Sequence, residues 1–158
     1  MIHPKWTNMS HTDTTSNCPP RDSLLAQDPA TLPWVPWVMP GAHFKLLSAD
    51  PQSGRFSLMI RLGKNCDMPL HRHVGAVEGL VLEGGFHYED APGVRYTAGT
   101  YLLERDGAVH RPVSPEGAVM FAVFHGPIEG LDSEGNVTGR VGCGWHIRTW
   151  DNALAALR

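Results

Sequence analysis

Beyond the first forty or so residues, the chain breaks into short runs in which apolar side chains recur at every second position. Phe56–Leu62 is the clearest: Phe56, Leu58, Ile60 and Leu62 alternate with Ser57, Met59 and Arg61. Side chains on a strand alternate between two faces, so this run predicts a half-buried strand with the first set facing in. Further strands are expected over 44–48, 77–83, 85–90 and 101–104. Gly84-Gly85 is read as a hairpin turn between 77–83 and 85–90. Residues 118–125 are apolar at consecutive positions, as a central strand is. Asp106-Gly107 is a tight-turn signal just before His110, and Asp132-Ser133-Glu134-Gly135-Asn136 marks another turn within 131–139. Helical periodicity is confined to 151–157, where Asp151 suits an N-terminus and Trp150, Leu154 and Leu157 share a face.

Composition supports the same picture. Seventeen glycines and thirteen prolines among 158 residues punctuate many short strands, which predicts a single-domain all-β sandwich or barrel with a short C-terminal helix. Residues 1–30 are polar and aperiodic and are expected to form a flexible N-terminal arm, with the folded domain over 31–158. Trp34-Val35-Pro36-Trp37-Val38 is extended by its prolines and demands burial. It is read first as a strap packed on the barrel or on a partner subunit, and second as a pocket wall. A net charge of −3 argues against a nucleic-acid surface. No apolar run approaches the ~20 residues a membrane span needs, and the N-terminus does not read as a secretory signal. Cys18, Cys66 and Cys143 form no CxxC pair, so free thiols in a cytoplasmic protein are expected.

The candidate chemistry lies in the histidines. His71 and His73 are two apart on an extended segment and therefore point to one side. Glu78 follows after a short turn, and His110 lies 37 residues beyond His73. Neutral imidazoles with a carboxylate bind Fe, Mn, Ni, Cu or Zn. His71 and His73 are odd and Glu78 is even, so one uninterrupted strand would put Glu78 on the opposite face. A turn at Gly75 is expected to reset the register. Glu78 is then either a direct ligand or a hydrogen-bond partner of a ligand histidine, and the sequence leaves both open. Leu80, Leu82, Val109 and Phe124 are expected to line the pocket, with His125 as a further candidate. Glu104 is a candidate base or gate at the mouth.

His71-Arg72-His73, Glu78 and Gly85 together resemble the first motif of the cupin superfamily, G-x5-HxH-x(3,4)-E-x6-G. Gly63 departs from it by lying eight residues before His71. The second motif is degenerate: Thr97-Ala98-Gly99 stands where PxG is expected, Gly107 to His110 supplies G-x2-H, and Ser114 replaces an asparagine. Lys45-Leu46-Leu47 with Asp50, the Trp34 start, Phe124-His125-Gly126-Pro127 and the 131–137 turn look like the acetylacetone (β-diketone) dioxygenase-like and 2,4'-dihydroxyacetophenone dioxygenase-like cupins. The resemblance implies a jelly-roll barrel and a mononuclear metal, usually Fe(II), held by His71, His73 and His110. It also implies a polar pocket residue at Glu104. Zn, Ni or Mn would be the substitutes in purified protein, and no organic cofactor is implied. The implied activity is O2-dependent C–C cleavage of a small β-diketone or hydroxyketone by a homodimer. A non-enzymatic metal- or ligand-binding cupin module of the regulatory type is the alternative.

Overall fold

The computed structural model describes residues 26–158. Thirteen strands are present among them: β1 Val35–Pro36, β2 Ala42–Ala49, β3 Phe56–Leu62, β4 Cys66–Asp67, β5 His71–His73, β6 Val77–Tyr88, β7 Tyr96–Thr97, β8 Tyr101–Glu104, β9 Val109–His110, β10 Pro112–Ser114, β11 Ala118–Phe124, β12 Ile128–Leu131 and β13 Val137–Val141. One helix, α1, spans Cys143–Ala156. The larger sheet has nine strands in the order β1-β2-β3-β11-β6-β10-β4, with β7 and β8 also paired to β6. The smaller sheet runs β13-β12-β5-β9. All pairings are antiparallel. The larger sheet curls and the smaller one faces its concave side, which gives the all-β barrel that the sequence predicts.

The inward set of β3 is as the alternation requires: Phe56, Leu58, Ile60 and Leu62 are buried. Beside them packs an aromatic cluster. Phe56 stacks on Phe124 with ring centroids 4.8 Å apart and on His146 at 4.3 Å. Phe44 contacts Trp37, Trp145 and Trp150. Offset rings contribute packing energy beyond their area burial.

Two expected elements differ. The hairpin at Gly84-Gly85 is not formed, because β6 continues unbroken from Val77 to Tyr88. Gly84 has a positive φ of 64°, and a Cβ there would stand 2.1 Å from the Gly117 carbonyl oxygen. The glycine serves a close backbone crossing and a bulge, not a reversal. The helix begins at Cys143, eight residues before the expected start. Gly144, Ile147 and Thr149 are weak helix formers, so local propensity hid the first turns. Burial of Cys143, His146 and Trp150 against the core holds them in place.

The Trp34–Val38 segment packs on its own barrel. β1 pairs with β2, Val35 and Trp37 are buried, and Lys45 and Arg61 sit 4.6 and 4.5 Å from the Trp34 ring centroid. Cys66 and Cys143 are free and buried. Cys18 and most of the expected N-terminal arm lie outside the described residues. The last part of that arm is held to the barrel: Gln27 Nε2 donates to the Leu47 carbonyl at 2.7 Å and Lys45 Nζ to that of Pro29 at 2.6 Å.

His146 is fully buried, and its neighbours fix its tautomer. Nδ1–H donates to the Gly142 carbonyl at 2.8 Å, and Nε2 accepts from the Trp37 indole at 3.0 Å. Burial lowers its pKa to about 4. A proton added at Nε2 would face the indole N–H donor, so charging breaks this bond. Between pH ~6.5 and ~4 the unfolded chain binds more protons than the folded one, so stability falls as pH falls through that window. The expected loss from His146 between pH 7 and 4.5 is about 2–3 kcal/mol. His146→Phe should shrink the pH difference by that amount, measured by urea unfolding of both proteins at the two pH values.

Candidate metal centre

β5 is a three-residue strand whose alternation sends His71 and His73 inward while Arg72 points out to Glu129, 2.5 Å away. His110 on β9 pairs directly with His71, so both rings project on the same face. Their nitrogens converge. Nε2 of His110 lies 3.0 Å from Nε2 of both His71 and His73. Glu104, at the end of β8, brings a carboxylate to the same point, with Oε2 3.0 Å from His73 Nε2 and Oε1 3.7 Å from His110 Nε2. The Tyr88 hydroxyl donates to Glu104 Oε1, and its ring stacks on His110 at 4.7 Å.

The protonation pattern suits a cation. His71 Nδ1–H donates to the Pro69 carbonyl at 2.9 Å, so its Nε2 carries a lone pair toward the cluster. Burial, with the neighbouring His110, lowers the His71 pKa to about 4, and burial also lowers that of His110. Both are neutral at pH 7. Burial opposes ionisation of Glu104, but the bond to His73 and the nearby imidazoles outweigh it and hold the carboxyl at about 2. Burial and the Glu104 charge raise the Tyr88 pKa, so the phenol remains a donor. Lone pairs 3.0 Å apart repel unless a proton or metal ion lies among them. Two donors at right angles on a common ion with ~2.1 Å bonds stand ~3.0 Å apart, whereas tetrahedral placement spreads them to ~3.4 Å. The residues therefore fit a metal ion.

The cluster lines a cavity of about 50 Å³ between the two sheets. The rest of its wall is mostly apolar, including Trp37, Phe86, Leu102, Met120 and Phe124, and among the described residues no lysine or arginine lines it. Phe124 is thus a wall residue, as expected. Trp37 and Met39 add the pocket-wall role that was the second reading of the strap.

Other expectations are corrected. Glu78 is outside the cluster: its side chain is 48% exposed and its carboxylate binds the Tyr101 hydroxyl at 2.9 Å and His125 Nε2 at 3.2 Å. Leu80, Leu82 and Val109 are exposed, and His125 is exposed beside Glu78 rather than in the pocket. The cause is where the register resets. Val77, Gly79 and Val81 face the cavity side of β6, so the turn at Gly75 does not bring Glu78 inward. The reset falls at Leu82, which has no partner on β11: Val81 opposes Met120 and Glu83 opposes Val119. Beyond this bulge the even residues Phe86 and Tyr88 turn inward. Tyr88 was missed for that reason, since nothing in simple alternation distinguishes it. The glycine pair at 84–85 was the available signal.

A family model described as the ChrR cupin-like domain matches residues 22–129. No curated protein matches the chain. Solved structures do. A protein of unknown function with a cupin-like fold from Ralstonia eutropha JMP134 is 23% identical, with a TM-score of 0.79, over 89% of this chain and 90% of that one. An acetylacetone dioxygenase from Acinetobacter johnsonii is 18% identical, with a TM-score of 0.74, over 89% and 98%. The Rhodobacter sphaeroides SigE complex with the anti-sigma ChrR is 20% identical, with a TM-score of 0.51, over 61% and 50%. At these identities the likeness is one of fold.

Alanine at His71, His73 or His110 is expected to abolish stoichiometric metal binding in protein purified without a histidine tag. Glu104→Ala should weaken it by about 10–100-fold, and Glu78→Ala should leave it unchanged. Elemental analysis with competitive chelator titration checks all five proteins. Full metal retention in the histidine variants would remove this site from consideration.

Proposed function

The chain belongs to the ChrR cupin-like domain family, and from that premise we propose that it is a mononuclear Fe(II)-dependent dioxygenase. Its substrate is a small β-diketone or hydroxyketone, cleaved at a C–C bond with O2. The observation that carries this reading is the convergence of three imidazole nitrogens and one carboxylate at the polar end of an otherwise apolar cavity. Iron(II) bound by His71, His73 and His110 supplies Lewis acidity toward the two oxygens of an enolate and redox capacity toward O2.

The chain's own residues do the rest. The Pro69 carbonyl fixes the His71 tautomer and ring. Glu104 is a weak base while its carboxyl stays near 2; its Oε2 faces His73 Nε2 at 3.0 Å, the nitrogen that would hold the ion, so its part is to keep a negative charge beside the ion. The Tyr88 hydroxyl occupies Oε1 and leaves Oε2 turned to the cluster. Phe86, Leu102, Met120 and Phe124 exclude water and pack the carbon skeleton of a substrate, which strengthens every charge interaction within the cavity. Among the described residues no lysine or arginine lies on the wall, so these residues offer no countercharge to a substrate carboxylate inside the cavity.

The second reading, a non-catalytic metal-binding module, is favoured by the family model itself, which is built on the cupin-like domain of ChrR. Both readings share the metal. They part on whether oxygen is consumed. Among the described residues no helix is long and apolar enough to cross a membrane; the free thiols of Cys66 and Cys143 go with a cytoplasmic location under either reading. A homodimer does too: Leu80, Leu82, Tyr101 and Leu103 leave an exposed apolar strip along β6 and β8 that a second copy would cover.

Protein reconstituted anaerobically with Fe(II) should consume one O2 per substrate cleaved when offered acetylacetone-like and aryl hydroxyketone compounds. An oxygen electrode paired with product chromatography checks the stoichiometry. Stable iron binding with no uptake across such a panel would reject the oxygenase and leave the binding module. Sedimentation at micromolar concentration should give a dimer, and Leu80→Glu with Leu103→Glu should give a monomer.

A further inference from the structure

The cavity that holds the cluster, at about 50 Å³, has room for only a few water-sized groups, since one water needs ~10–15 Å³ on this scale. Beside it lies a much larger groove of about 410 Å³. The two share three lining residues, Met39, His71 and Ile128, so these side chains alone form their common wall.

The floor of the groove follows from strand register. His110 pairs with His71, His71 with Gly130, and Gly130 with Gly139. Residues paired across antiparallel strands project on the same face. The row therefore reads histidine, histidine, glycine, glycine across β9, β5, β12 and β13. Along this row, the face that carries two imidazoles of the cluster continues over the next two strands without a side chain from either paired residue. Neither glycine has a positive φ, so backbone conformation does not require glycine at either position. A Cβ at Gly139 would meet nothing within 4 Å, and one at Gly130 would meet the Thr138 hydroxyl at 3.2 Å. A glycine within a strand marks a bulge or a close approach to the backbone; the register shifts between Gly130 and Leu131, and the open space at Gly139 leaves the backbone accessible there. The groove walls beside the row are mostly apolar, with Val38, Leu131 and Val141 among them, and Thr138 and Arg140 add polar groups. Met39 sits in the turn between β1 and β2 rather than in a strand, and its unbranched thioether can swing aside at low cost.

We propose that the glycine row is a subsite for the apolar tail of the substrate, whose oxygen-bearing head lies at His71, His73 and His110, with Met39 as the specificity-determining residue between them. Two strand spacings, ~10 Å, separate His71 from Gly139, which is the reach of an unbranched chain of about seven or eight carbons. This rests on the metal reading above and names the substrate class more narrowly: a small chelating head on an extended apolar chain.

The test uses the full chain loaded with Co(II), whose visible spectrum reports ligands entering the metal site, titrated with acetohydroxamate and octanohydroxamate. These share a two-oxygen chelating head and differ only in the tail. The wild-type protein should bind octanohydroxamate at least about tenfold more tightly, the equivalent of ~1.4 kcal/mol. Gly139→Trp should abolish that advantage while leaving acetohydroxamate affinity unchanged, which also shows that the variant is folded. Gly139→Leu should reduce it partially, and Met39→Ala should enlarge it. Equal affinity for the two ligands in the wild type, or a tail advantage that survives Gly139→Trp, overturns the subsite. Failure of Co(II) to bind at His71, His73 and His110 overturns the metal reading as well.

Discussion

Four ionisable side chains lie inside an apolar barrel, and every other feature of the site follows from how their burial is tolerated. An unpaired buried polar group costs a few kcal/mol, and an unpaired buried charge costs far more. His71 is satisfied on its outer nitrogen by the Pro69 carbonyl, and Glu104 by Tyr88 and His73. His73 Nδ1 is buried without a partner. The three inner nitrogens have only one another and Glu104. A metal ion held by the three imidazoles would turn mutual repulsion into favourable contacts, so the cost of gathering these lone pairs would be returned on binding. The contrast with His146 is informative. That imidazole is equally buried, but both its nitrogens are paired, and it serves only the core.

The bulge at Leu82 determines which carboxylate joins the imidazoles. Upstream of it, odd residues of β6 face the cavity; downstream, even residues do. Glu78 is thereby turned out to Tyr101 and His125, while Tyr88 is turned in to hold Glu104. One unpaired residue in a twelve-residue strand exchanges the first-motif glutamate for a glutamate contributed by another strand. The close crossing of Gly84 over the Gly117 carbonyl fixes the bulge in place. Which carboxylate stands beside the imidazoles thus depends on a backbone irregularity some ten residues along the chain from His71 and His73.

The smaller sheet combines two tasks. β5 and β9 supply all three histidines, and β12 and β13 extend the same face as bare backbone. The Arg72–Glu129 pair, with Arg140 Nε 3.8 Å from the same carboxylate, ties these strands together on the opposite face. Rigidity on one face and an open floor on the other are what a site needs if it is to hold a metal firmly while admitting a ligand beside it.

The sequence by itself determined the features that depend on local periodicity and on residue chemistry. The alternation of Phe56–Leu62 defined a strand and its inner face, and the two-residue spacing of His71 and His73 placed both imidazoles on one side. The Asp106-Gly107 turn ahead of His110 and the Asp132–Asn136 turn were likewise legible, because each is a contact among near neighbours. Only the tertiary structure decided the start of α1, which burial of His146 and Trp150 extends against weak local propensity. It alone decided the inward or outward fate of Glu78, Leu80, Leu82 and Tyr88, because parity along β6 is set by its partner β11. The alignment of His110, His71, Gly130 and Gly139 belongs to the same class. No pattern along the chain relates residues brought together by strand pairing from positions up to 68 apart, since register between distant strands is a property of the closed barrel.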